Sequence, residues 1–95
     1  MDDKVHFQRN PDYIYREVAG EAVLVPIGKA AESFFGIASI NSTGAFLWKA
    51  LEQERSFREL REMFAREYEL EEEQSQQDVT EFIEAALSRN MVLRC

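Results

Sequence analysis

The chain has 95 residues and a mass of 11.1 kDa, enough for one small core and no second domain. Hydrophobic residues make up 45% and charged residues 31%, and eleven aromatics supply anchors that a disordered chain lacks. The formal charge of −7 is concentrated: between Glu52 and Glu84 stand 12 acidic residues against four arginines, while the rest sums to +1, which argues against a nucleic-acid partner.

Residues 1–12 show no period and contain Asn10-Pro11, so they read as a loose or extended arm before a single domain over 13–95. Tyr13 to Val18 alternates and is rich in β-formers; Ala19-Gly20-Glu21 follows as a turn. Ala22 to Ile27 reads as a second strand, with Pro26 marking a strand end or an unpaired position because it donates no ladder bond. Gly28 to Ser33 reads as a short connection, and Phe34 to Ile40 as the third strand of an antiparallel meander.

Asn41-Ser42-Thr43 supplies helix caps, and Leu47, Trp48 and Leu51 follow at helical spacing. Ser56-Phe57-Arg58-Glu59 fits a capping box, after which Phe57, Leu60, Phe64 and Tyr68 mark one face of a second helix. A third helix is predicted to start within 71–75. Its apolar stripe is Val79, Phe82, Ile83, Ala86 and Leu87, with Glu71 to Glu73 complementing its dipole. Met91-Val92-Leu93 either adds a short final strand or simply packs. Strands followed by helices predict an α+β fold, and a second and third helix joined by a short segment make it winged helix-turn-helix-like.

Chemistry is sparse. The only histidine is His6, in the arm, and the only cysteine is Cys95, which excludes a disulfide framework and a paired-cysteine zinc site. The glycines at 20, 28, 36 and 44 stand singly, with no phosphate-binding loop, and Glu71, Glu72, Glu73 and Asp78 lack the alternating spacing of a calcium loop. Trp48 sits among apolar neighbours at helical spacing, which favours packing over a stacking platform. The expectation is a protein with no catalytic residues, metal or cofactor. No run of about 18 apolar residues would span a membrane, and the first residues lack the pattern of a signal peptide, so a cytoplasmic protein is expected.

The third strand stands apart. Phe34, Gly36, Ala38 and Ile40 occupy one face, and Phe35, Ile37 and Ser39 the other, so both faces are substantially apolar. Either helix and arm cover both faces, or the strand is an edge awaiting a partner. A free edge offers unpaired N–H and C=O groups to an extended peptide. A proline at Ile37 would then test whether that residue's N–H faces the ligand.

Val23-Leu24-Val25-Pro26, Phe34 through Asn41, and Ser42-Thr43-Gly44-Ala45-Phe46-Leu47-Trp48 resemble the PqqD-like family, named for a protein of pyrroloquinoline quinone biosynthesis. The likeness continues through Ser56-Phe57-Arg58-Glu59-Leu60, Tyr68 and Asp78 to Ile83, and covers roughly residues 14–92; its most specific part is the Asn-x-Thr-Gly-Ala segment leading into Trp48.

The resemblance implies a winged helix-turn-helix recognition element that holds the leader of a ribosomally made precursor peptide and presents it to a modifying enzyme. In the name-giving protein that enzyme is a radical S-adenosylmethionine protein. The family places the leader as an added strand on the third strand, beside the third helix. Carried onto this sequence, the peptide-binding residues are Phe34, Phe35, Gly36, Ile37, Ala38, Ser39 and Ile40, with Asp78, Phe82, Ile83 and Ala86. Val79 and Leu87 are assigned to the core. The alternatives are a winged-helix transcription regulator, which the charge opposes, and an accessory subunit that docks on a larger enzyme. Glu81 and Glu84 near the groove would favour a basic leader. Self-association through the edge strand stays open.

Overall fold

The computed structural model describes residues 1–33 and 38–95. The chain folds as α+β with two three-stranded antiparallel sheets and a helical layer, a winged helix-turn-helix-like arrangement. The strands β1 (His6–Arg9), β2 (Tyr13–Val18) and β3 (Glu21–Pro26) precede a short helix, α1 (Gly28–Ser33). Then come β4 (Ala38–Ile40), α2 (Ser42–Ala50), β5 (Arg55–Ser56), α3 (Phe57–Tyr68), α4 (Glu72–Ser88) and β6 (Val92–Arg94).

One sheet runs β2-β3-β4. Val18 and Glu21 pair across a two-residue turn in which Ala19 (φ 53°) and Gly20 (φ 82°) are both left-handed. That geometry matches the twist of the flanking strands. Pro26 is the last residue of β3, where its missing N–H costs the ladder little. The second sheet, β5-β1-β6, gathers strands from both ends of the chain: Phe7 lies opposite Arg55 on one side and Arg94 on the other.

This second sheet revises the expected arm. The arm is extended but not loose, because Phe7 is wholly buried among Leu51, Phe57, Leu60 and Val92. Gly28 to Ser33, read as a connection, is the helix α1.

The helices begin where their caps stand. The Asn41 side chain accepts from the Gly44 N–H at 2.8 Å. Ser56 and Glu59 form a complete capping box: Glu59 N–H donates to Ser56 Oγ at 3.1 Å, and Ser56 N–H donates to the Glu59 carboxylate at 2.9 Å. The backbone N–H of Ser56 is the first cause that lowers the Glu59 carboxyl below its usual range. α3 ends at Glu69 in a left-handed conformation (φ 51°), and the chain turns directly into α4. Fully buried Ser75 donates to the Arg61 carbonyl at 2.6 Å, satisfying its hydroxyl while tying α4 to α3.

Trp48 is central to the core, 1% exposed, and Tyr13 meets it edge-on with ring centroids 6.4 Å apart. Phe46 extends the aromatic packing outward to Phe64 and Tyr68, at 6.3 and 5.8 Å. Asp3 holds the start of the chain on α3 through paired bonds from Arg61, both 2.9 Å.

Candidate functional site

β4 is the outer strand of its sheet, and among the described residues nothing pairs with its far side. The phase of the sheet settles which groups face outward. Val18 and Glu21 flank the turn as a hydrogen-bonded pair, so odd-numbered residues of β3 face β2 and even-numbered ones face β4. Just past β3 the pattern persists, with Ile27 N–H donating to the Asp12 carbonyl at 2.7 Å. Ala22 with Ile40 and Leu24 with Ala38 are therefore the bonded pairs. Ser39, opposite Val23, turns its own N–H and C=O to the open side.

Beside this edge lies a cleft of about 260 Å³ between β4 and α4. Its walls are Ala38, Ser39 and Ile40 on the strand and Phe82, Ala85 and Ala86 on the helix, with Arg89 at the helix's C-terminal cap and Leu24, Trp48 and Met91 beneath. A second cleft of about 420 Å³ continues from it along α4, where Asp78, Glu81 and Phe82 face Asn41, Thr43 and Gly44 at the start of α2. Asn41, Gly44 and Phe82 belong to both, so the two form one groove along α4. The groove exists because its walls are small: Ala38, Gly44, Ala85 and Ala86 leave the space that larger side chains would fill. At Gly44 a Cβ would come within 2.9 Å of Ile40 Cγ1 and 3.0 Å of Asn41 Oδ1. The indole N–H of Trp48, buried below the groove, has no acceptor among the described residues.

The anticipated residues divide three ways. Ala38, Ser39 and Ile40 meet Phe82 and Ala86 across the first cleft, and Asp78 lines the second. Ile83 is brought elsewhere: it is wholly buried in the core with Val79, so its side chain offers nothing to a groove. Phe34, Phe35, Gly36 and Ile37 lie outside the described residues. Glu81 lines the groove, whereas Glu84 is exposed and lines neither cleft. Sequence reasoning missed Ala85, Arg89 and Met91. Ala85 and Arg89 were accessible, standing at i+3 and i+7 from Phe82 on the same helical face; Met91 depends on how the chain returns from α4.

The structure also brings His6, at the start of β1, beside Cys95, which follows β6, and Cys95 N–H donates to the His6 carbonyl at 2.9 Å. Burial first, and then the charge of Glu54, push the Cys95 thiol upward. That favours the thiol over the nucleophilic thiolate. His6 Nδ1 meets the Glu54 carboxylate at 3.0 Å. Among the described residues no group of three or more His, Cys, Asp or Glu is placed to hold a metal ion, and no helix is long and apolar enough to cross a membrane.

In a comparison with known families, the model described as Coenzyme PQQ synthesis protein D (PqqD) matches residues 21–92. That span runs from the first residue of β3 into β6 and contains every described residue of the groove. Searches of curated proteins and of solved structures returned no match.

Proposed function

The chain belongs to the PqqD family, and from that premise we propose that it is a non-catalytic recognition element for the leader of a ribosomally made precursor peptide. The observation that carries this reading is the open edge of β4 beside an apolar groove. Ser39 offers an unpaired N–H and C=O, and Phe82, Ala85 and Ala86 offer a floor for alternate side chains of an added strand. Backbone bonds would supply affinity and the groove specificity. The bound leader would keep its core segment within reach of a modifying enzyme, for which a radical S-adenosylmethionine protein is the proposed partner.

DNA binding fits poorly. α4 is the second helix of the helix-turn-helix, the one such folds lay against DNA. It carries five acidic residues and no Lys or Arg, the wrong sign for phosphates.

The test is an NMR titration of the protein with the leader of a precursor encoded beside it. Saturable binding with amide shifts at Ala38–Ile40 and along Asp78–Arg89 is expected. Saturable binding with shifts elsewhere keeps the function and removes this groove. No binding transfers weight to an accessory subunit that docks on an enzyme without holding peptide.

A further inference from the structure

The groove along α4 is electrically polarised. At one end, Asp78 and Glu81 face the second cleft; at the other, Arg89 stands at the first, and the floor between them is Phe82, Ala85 and Ala86. No ion pair engages any of these three charged side chains among the described residues, although Asp78 accepts a hydrogen bond from Gln74 at 2.8 Å. Their charges are therefore available to whatever lies in the groove. The start of α2 adds a partial positive charge at the acidic end, its cap already filled by Asn41, and two carboxylates outweigh it.

Length and direction follow from the same geometry. Asp78 and Arg89 are eleven positions apart and Glu81 and Arg89 eight, or about 12–17 Å at 1.5 Å per helical residue. An extended peptide covers that in about four or five residues. β4 runs from Ala38, beside Arg89, to Ile40 and on to Asn41, beside Asp78. A strand added antiparallel, as every other pair in this sheet is arranged, runs the opposite way, from the acidic end to Arg89.

We propose that this groove selects peptides with a basic residue about four positions before an acidic one, an even spacing that turns both side chains to the α4 face of the added strand, and an apolar residue midway between them on that face. This rests on the peptide-binding reading above and adds which peptides are taken, and in which orientation. Charge matching at both ends sets register as well as partner, because a shift of one or two residues leaves a charge against the apolar floor.

The experiment pans a random twelve-residue peptide library displayed on phage against the full chain and, in parallel, against Arg89→Glu. The wild-type chain should enrich the basic-then-acidic order. The Arg89→Glu chain, altered at an exposed side chain, should lose the acidic preference at the second position and take a basic residue there. Wild-type peptides should bind that variant about tenfold more weakly by fluorescence anisotropy. Enrichment of peptides without this charge order, or the same consensus from both chains, overturns the charge reading and leaves peptide binding standing. No enrichment above an unrelated protein overturns both.

Discussion

The side-chain oxygen of Asn41 receives two donors, the Gly44 N–H at 2.8 Å and the Thr43 hydroxyl at 3.1 Å, and Gly44 leaves room for Ile40 to pack over it. These residues join the open strand to its neighbouring helix, which gives the Asn-x-Thr-Gly segment a structural reason. Replacing Asn41 with Ala removes the cap and should cost about 1 kcal/mol, lowering Tm by about 4–8 °C in a chain of this size. Ala19 offers the opposite test. It holds a left-handed φ of 53° at a turn position that suits Asn or Gly. Ala19→Asn, read by thermal unfolding, should stabilise the protein by about 1 kcal/mol. Both positions were visible as residue types in the sequence, as a cap and a turn. The close approach over Gly44 was not, because it depends on where β4 comes to rest.

At the scale of elements, the proposed peptide edge is β4, three described residues whose backbone groups point in different directions. Ser39→Pro removes the outward N–H and should abolish leader binding in calorimetry while leaving the β3–β4 bonds in place; undiminished affinity in a folded variant would remove this edge from the site. Ile40→Pro instead breaks a bond to β3 and should lower Tm. Acid acts on a different junction. The Arg61 hydrogen bonds hold the Asp3 carboxyl below its usual value. Its contribution is complete above about pH 4, the ordinary carboxylate value, and fades as pH falls through the lower folded-state value. The acid arm of a Tm–pH profile should therefore flatten in Asp3→Asn. The capping box and the start of α4 were legible, since caps and apolar period are local signals. The period could not divide Ile83 from Phe82: adjacent residues on a broad apolar face, one sealed in the core and one lining the groove.

Across the whole molecule, the sheet β5-β1-β6 was the least legible feature. His6–Arg9 has no alternation to announce it, and its partners lie about fifty and eighty-five positions away. Such pairing is specified by burial of Phe7, which no local window contains. Phe7→Ala should cost about 3–5 kcal/mol, a large share of the stability available to a chain this small; denaturant unfolding would read it, with a matching loss of protection across β1 and β6.

That same sheet fixes how the molecule would answer a mechanical load. β1 and β6 run antiparallel, and the outer flanks of both, at His6 and Cys95, meet at one end of the ladder. Tension applied through the two flanks would pull across the strands, parting the rungs one after another at low force, where strands loaded along their length would have to yield together. The β2-β3-β4 sheet lies off that line of force, so once the Asp3–Arg61 tie on α3 has parted, the β1–β6 ladder yields before it.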